Sequence, residues 1–546
     1  MTSSLKSESE LPSRVQDNDT ENHKKSQSPE DDTVPSPIND KSWKSILSHV
    51  APIVLVCLLV WLDEGILATA IPSISDEFKS FDQIGWYGPS YLFGLCASQL
   101  PFGRAYKDFP TKVTYLFSLL IFEVASIIQA AAPSSAAFIV GRIFAGMGGA
   151  GVLAGSLTIF SEEIPKAKLP YIMGAFGLVQ SVGGIAGPII GGAITSSSLT
   201  WRWQCFYLNP IVSAVALAPI AFLWRGKFVR PSKDGKPTTR EVFAKFDYPG
   251  IIAFTAAIVT LLLGLQFGGS SYKWSDRRTI ASLSVSGILF VSFFLLEWWQ
   301  GDDAILPSKI LGTRVVALAS VYTATLDGAY FVLMYQIPLW FQTIYGLSAR
   351  ESGYRIIPLV ASCILAGIVG TVLTGKLRYY HPFMLLGAIL LTIGSALLTT
   401  LHPTASKKWV GYEILAGAGT GLGSPLPLLA VQDALLPSDV SIGYGVVLTA
   451  GYLLSSITLA IAQAVFASLL KSAIHQQLPG IDPGNIGNTG ATDLKLLFTD
   501  DVYEQVLRLY NEAPTQSWYI SVVLAAISVF LVLGLKWKKM DMVDHK

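Results

Sequence analysis

Long apolar runs broken by short polar stretches recur along the chain from about residue 48 to residue 536. A helix needs roughly 20 apolar residues to cross the hydrocarbon core of a bilayer, and runs of that length exceed what a buried strand requires. The pattern predicts fourteen spans, near residues 48–70, 86–102, 113–132, 136–159, 170–194, 206–223, 248–268, 279–299, 316–342, 352–374, 380–401, 409–432, 441–469 and 517–536. Residues 1–46 read differently, with fifteen charges, many Ser, Asn and Pro, and almost no large apolar side chains. Such a segment cannot bury enough surface to fold and is expected to be a disordered tail. No basic-then-apolar leader stands at residue 1, so the first span is expected to serve as an uncleaved anchor. Between the last two spans, residues 470–516 are expected to hold one short helix starting near Asp501, packed as a cap on the outer face. Asp501 with Glu504 fits an N-cap and its third-position partner, and Val502, Val506 and Leu509 make an apolar stripe.

Composition narrows the class. Apolar residues fill 51% of the 546 positions and charged residues 14%, against about 25% charged in a soluble domain. With a mean hydropathy of +0.48, a soluble enzyme or a nucleic-acid binder is excluded, and the net charge of +1 supplies no field for a polyanion. Cys57, Cys96, Cys205 and Cys363 are scattered, mostly within apolar runs, and form neither a disulfide framework nor a metal-binding spacing. Alternate loops carry 26 Lys and Arg on one side of the membrane and 11 on the other. Cytoplasmic loops are the enriched ones, so both termini are expected in the cytoplasm. The richest loop, Arg225 to Lys245, also separates the first six spans from the rest.

The two parts of the chain echo one another. Arg142-Ile-Phe-Ala-Gly146-Met-Gly148 aligns with Glu413-Ile-Leu-Ala-Gly417-Ala-Gly419, Leu62-Asp63 through Ile71-Pro72 with Leu326-Asp327 through Ile337-Pro338, and Gly103-Arg104 with Gly375-Lys376. Three matches in order indicate a parallel duplication, the usual sign of a transporter built from repeats. The expected organisation is a six-helix bundle at 47–224, a cytoplasmic loop at 225–247, two inserted helices at 248–300, a second six-helix bundle at 301–536 and a cytoplasmic tail at 537–546. Two nucleotide-like patterns fail on context. Gly146 to Gly151 satisfies G-x-G-x-x-G but lies inside a membrane helix, and Gly370 to Lys376 is followed by Leu377 where a P-loop needs Ser or Thr. No cofactor or metal is expected, and neither a metalloprotease nor a hydrolase motif is present.

Six ionisable residues lie well inside predicted spans: Asp63, Glu64, Glu123, Arg142, Asp327 and Glu413. Each costs about 2.5 to 3.5 kcal/mol at mid-bilayer on insertion scales, so each requires a partner or a function. Asp63 and Arg142, a carboxylate and a guanidinium on different helices of one bundle, are natural partners or alternate binders of one proton, with Asp327 the further candidate. Asp63 and Glu64 project about 100° apart on a helix, so at most one faces the cavity centre. Tyr330, Tyr335 and Gln336, with Tyr322 and Trp340 on the same span, offer aromatic faces and an amide suited to a partly apolar, oxygenated ring compound. Interfacial aromatics facing lipid are the competing reading, most of all for Trp340.

Gly183, Gly187 and Gly191 recur at every fourth position, followed by Gly184, Pro188 and Gly192. Small residues at that spacing let helices approach closely, and Pro188 removes a backbone bond. The run from Gly183 to Gly192 resembles the G-x-x-x-G-P-x-x-G-G antiporter motif of the major facilitator superfamily. Arg142 to Gly148 resembles its R-x-x-x-G-x-G motif, and Leu62-Asp63 through Ala70-Ile71-Pro72 the first-helix signature of its fourteen-spanning drug:proton antiporters. Gly85-Trp86-Tyr87-Gly88, Ala132-Pro133-Ser134-Ser135, Trp201-Arg202-Trp203, Phe206-Tyr207 and Asn209 are similar to the fungal toxin and secondary-metabolite efflux pumps. Two positions depart from the pattern. Gly65 stands where the signature usually has Thr, and in the gating loop Gly103, Arg104 and Asp108 place the carboxylate one position later than G-x-x-x-D-R does.

The resemblance implies an all-α polytopic membrane protein of the major facilitator fold, with two six-helix bundles rocking around a central cavity. It implies a proton-coupled exporter of a small organic molecule, acting as a monomer in the lipid bilayer, at the plasma membrane or alternatively the vacuolar membrane. A proton-coupled importer, such as a ferric-chelate carrier, is the alternative.

Overall fold

In lipid every backbone polar group must be satisfied within its own segment, which leaves helix as the only solution for spans like these. A computed structural model describes residues 43–80, 83–195, 202–220, 247–268, 272, 274–347, 349–402, 407–477 and 500–540, and every regular element among them is helical. The tail at 1–42, the loop at 221–246 and residues 478–499 lie outside the described residues. The first half comprises α1 (Trp43–Phe78), α2 (Ile84–Asp108), α3 (Thr111–Ala130), α4 (Ser135–Glu163), α5 (Leu169–Thr195) and α6 (Leu208–Ala218), the last entered through a π-helical turn at Arg202–Tyr207. Two further helices follow, α7 (Tyr248–Gln266) and α8 (Arg277–Gln300). The second half comprises α9 (Arg314–Tyr345), α10 (Ile357–Leu377), α11 (His381–Leu398), α12 (Lys408–Gly423), α13 (Leu426–Ala434), α14 (Val440–Gln477), α15 (Asp500–Ser517) and α16 (Tyr519–Leu533).

Among the described residues, eleven helical stretches are long and apolar enough to cross a membrane. The other three predicted spans coincide with α2, α5 and α6. α2 is the most polar of these, carrying Gln99, Arg104, Lys107 and Asp108 together with Pro89 and Pro101. The predicted span at 409–432 is broken into α12 and α13 around Ser424 and Pro425, and α1 and α14 run well beyond their apolar cores. The helix predicted near Asp501 is present and longer than expected, 18 residues from Asp500, and it leads directly into the last span. Asn511 on α15 accepts from Trp340 Nε1 at 2.8 Å and donates to the Leu401 carbonyl at 3.0 Å, so the segment is pinned to α9 and to the end of α11.

The duplication is visible in packing. α1 pairs with α5, α2 with α4 and α3 with α4 in the first half, and α9 pairs with α14, α10 with α12 and α11 with α12 in the second. The glycines that permit these contacts are themselves duplicated. A Cβ at Gly146 would strike the Tyr91 carbonyl on α2 and one at Gly148 the backbone of Phe122 on α3. Equivalently, a Cβ at Gly417 would strike the Leu359 carbonyl on α10 and one at Gly419 the backbone of Leu391 on α11. Thus α4 and α12 each wedge between two neighbours at backbone distance. α7 and α8 pack on each other, and α7 also touches α2 and α14. α8 turns most of its surface outward, with Trp298 and Trp299 more than four-fifths exposed at its end, where Trp anchors a helix at the lipid interface.

Gly417→Leu should therefore lower the melting temperature of the purified protein, since overpacking typically costs about 1 to 3 kcal/mol and backbone contact leaves no rotamer to relieve it. Gly411→Leu, on the same helix with nothing within 4 Å of its Cβ position, should melt like the parent. Equal melting of the two variants would contradict the wedge.

Candidate functional site

Arg142 on α4 donates from Nη1 to Asp63 Oδ2 on α1 at 2.5 Å, and both side chains are essentially fully buried. Each side chain makes a further contact. Asn209 on α6 donates from Nδ2 to Asp63 Oδ1 at 3.0 Å, while Arg142 Nε donates to the Tyr87 carbonyl on α2 at 3.3 Å and its guanidinium lies 4.6 Å from the Tyr91 ring centre. Four helices thus converge on one ion pair. Tyr87 is held in turn by Ser135, whose Oγ accepts its hydroxyl proton at 2.9 Å, and Ser134 caps α4 by accepting from the Ala137 amide. Arg202 donates to the Ala130 and Ala132 carbonyls and to Glu77, tying the entry of α6 to the end of α3 and to α1. The short motifs around these residues are therefore the frame of the pair. Glu123 on α3 is partnered by Ser213 on α6.

The second half repeats the positions and not the charges. Asp327 on α9 accepts from Ser424 at 3.2 Å, and Glu413, at the position equivalent to Arg142, is fully buried against α10. Asp327 has no ion-pair partner among the described residues. Tyr330 shares a hydrogen bond with Cys363, and Tyr335 is nearly half exposed although it stands within electrostatic reach of Glu64 and Arg142. Tyr335 therefore opens on the space between the two halves. Gln336 does not: its Oε1 accepts from Ser517 at 2.6 Å inside the second half. Trp340 faces neither lipid nor that space, being buried and packed on Phe341 and Trp518.

The halves meet along two seams. α2 packs along α14 and α5 along α10, at the ends that the loop charges assign to the cytoplasm. In the gating loop, Asp108 turns back on Arg104 of its own helix at 2.5 Å, and the contact across the seam is made by Lys107, whose Nζ lies 2.9 Å from Asp439 just before α14. A Cβ at Gly103 would come within 3.0 Å of the Ser441 carbonyl, so the two helix ends are in backbone contact. Arg104 also reaches past its helix, donating from Nη1 to the Ala304 carbonyl at 2.7 Å. That linker is fixed from the inserted pair, where Asp247 accepts from the Ile305 amide and Glu297 from the Leu306 amide. Sequence reading named Arg104 and Asp108 and missed Lys107. The available signal was the pairing of opposite charges, Lys107 and Asp439, in two loops predicted on one side.

The antiporter-like glycines seal α5 on α1 beside the ion pair. A Cβ at Gly183 would lie 2.5 Å from Trp61 Cβ, and one at Gly187 2.6 Å from Gly65 Cα. Gly65 thus removes a side chain where α5 comes closest. α5 continues through Pro188, Gly191 and Gly192, whose surroundings lie outside the described residues.

The family model described as Major Facilitator Superfamily matches residues 53–459. The chain is 39% identical over 491 residues to "MFS-type efflux pump MFS1" of Arthroderma benhamiae, covering 90% of this chain and 91% of that protein. It is 36% identical to "Efflux pump roqT" of Penicillium rubens, covering 89% and 90%, and 37% identical to "Efflux pump aunC" of Aspergillus niger, covering 87% and 90%. Among solved structures, the human organic anion transporter MFSD10 superposes with a TM-score of 0.56 at 14% identity, covering 89% of this chain and 99% of that one. The proton:xylose symporter XylE gives 0.56 at 13% identity, covering 89% and 95%. At such identities these two share the fold alone.

Reversing Lys107 to Asp should open the α2–α14 seam and raise the reactivity of a cysteine placed at Gly445 toward a membrane-impermeant maleimide, because one opposite-charge contact becomes a repulsion. Adding Asp439→Lys should restore protection. Unchanged reactivity in the single variant, or no recovery in the double, would remove the latch role.

Proposed function

This chain belongs to the major facilitator superfamily, and from that membership we propose that it exports a small organic molecule in exchange for protons by alternating access. A secondary transporter of this fold needs a central cavity, a closure on one face at a time and a titratable group that senses which face is closed. The buried Asp63–Arg142 pair carries the reading. Protonating Asp63 would leave Arg142 buried without its counter-charge, which favours a rearrangement of α1, α4 and α6 around the pair. Asp327, which accepts from Ser424 and has no cation partner among the described residues, is the second proton site in this reading. Contact along the α2–α14 and α5–α10 seams corresponds to a state closed toward the cytoplasm, with Tyr330 and Tyr335 lining the open space. Relatives that bear the name efflux pump support export as the direction. Fourteen spans, both termini in the cytoplasm, a monomer and residence in the plasma membrane, with the vacuolar membrane as alternative, complete the proposal.

Inside-out vesicles with an acid interior should accumulate the cargo found by comparing metabolites of cells with and without the protein, and a protonophore should abolish accumulation. Asp63→Asn should reduce gradient-driven accumulation at least tenfold while the folded protein remains in the membrane. Accumulation by right-side-out vesicles alone would assign import instead, and full activity of Asp63→Asn would move the proton site elsewhere.

A further inference from the structure

Three spans end together on one face of the membrane. The apolar stretch Glu351–Leu377 closes with α10, His381–Leu398 opens with α11, and Asn511–Leu533 closes with α16. Residues 534–540 leave α16 and fold back on the turn between α10 and α11. The Met540 amide donates to the Arg378 carbonyl at 2.8 Å, and the Trp537 ring stacks on His381 with 5.9 Å between ring centres and 19° between planes. His381 stacks in turn on Tyr380 at 4.0 Å. Leu535 and Met540 are buried, so the segment is a packed strap. Arg378 holds the turn in a left-handed conformation, φ +62°, which Gly or Asn adopts at lower cost after a helix. An arginine at such a position accepts backbone strain and places a charge there.

The strap joins two basic stretches into one patch. Lys376 and Arg378 come from the turn and Lys536, Lys538 and Lys539 from the strap, and all five are exposed. None forms an ion pair among the described residues. The carboxylate within electrostatic reach of the ring stack is Asp433, which acts on Tyr380 and His381. Trp537 and Tyr379 are exposed beside the cations. Such rings settle at headgroup depth, where lysine stems lie along apolar surface and keep their ammonium groups among the phosphates. The three span ends therefore set the patch at the level of the lipid headgroups. Lysines already ordered by the fold lose less freedom on binding than those of a loose basic segment.

We propose that residues 376–380 and 536–540 form a docking surface for the headgroup of an anionic phospholipid in the adjoining leaflet. The inference stands apart from cargo, direction and proton coupling, and only the naming of that leaflet as cytoplasmic rests on the proposed topology. The same turn borders the α5–α10 seam, where a Cβ at Gly375 would lie 3.3 Å from Pro170. A lipid bound there sits beside one of the two closures between the halves.

The test is native mass spectrometry of the full-length protein in detergent, titrated with dioleoylphosphatidylserine or with dioleoylphosphatidylcholine. The wild type should bind the anionic lipid about tenfold more tightly, since each basic residue at the surface adds to the attraction. Lys536→Gln, Lys538→Gln and Lys539→Gln together should remove that preference, and Arg at the same three positions should keep it. Lys168→Gln, Lys309→Gln and Arg314→Gln together, which take an equal charge from other helix ends, should leave it unchanged. A monodisperse elution profile and an unchanged melting temperature establish that the variants are folded. A preference that survives the strap Gln variant would overturn the assignment. So would an equal loss in the control variant, which leaves only a general attraction of basic loops, or inorganic phosphate bound as tightly as the lipid, which assigns the patch to a soluble anion.

Discussion

Asp63 and Arg142 are each tolerable in the membrane only because the other is there. A lone charge at that depth costs about 2.5 to 3.5 kcal/mol on insertion scales, and removing one partner of a buried pair costs about 3 to 5 kcal/mol. The helices therefore have to arrive in one register: α1 and α4 bring the charges, α6 brings Asn209, and α2 brings the Tyr87 carbonyl and the Tyr91 ring. The glycines of α4 and α5 follow from the same constraint, because only side-chain-free surfaces let α4 reach Tyr91 and let α5 close on α1 beside Asp63. A buried pair cross-linked to two further helices in one arrangement responds sharply to a single proton.

Duplication supplied the scaffold, and divergence of charge separated the tasks. The two halves use the same helix pairings and the same glycine wedges, yet the position of Arg142 is Glu413 in the second half. The first half can neutralise its aspartate internally; the second holds Asp327 with a hydroxyl. At the same end of α2 as Lys107, the reach of Arg104 to Ala304 brings the inserted helices to the seam, since Asp247 and Glu297 fix the same linker. In this arrangement α7 and α8 brace the gating loop.

Much of this was legible in the residues. Span positions, the duplication and the Asp63–Arg142 pairing follow from apolar run lengths, spaced glycines and the rarity of opposite charges within spans. Side-chain direction was harder to read. Tyr335 and Gln336 are adjacent, yet one opens on the central space and the other is bound to Ser517, because a helix turns neighbours about 100° apart and the span's rotation is set by its partners. The place of Trp340 near the end of its span suggests lipid or cavity, yet the side chain lies in the core, satisfied by Asn511 of a helix 171 positions away. The closure between Lys107 and Asp439 joins loops far apart in the chain, a pairing that local spacing does not encode.

The central claim is that the protonation of Asp63 governs which face is closed. Spin labels at Val113, at the start of α3 beyond α2, and Leu436, in the turn before α14, both exposed, report that closure as a distance distribution in a cysteine-free background. In the otherwise native sequence the distribution should shift between neutral and acidic pH. With Asp63→Asn it should stay the same at both. An Asp63→Asn protein whose distances still move with pH as far as those of its parent would contradict the claim.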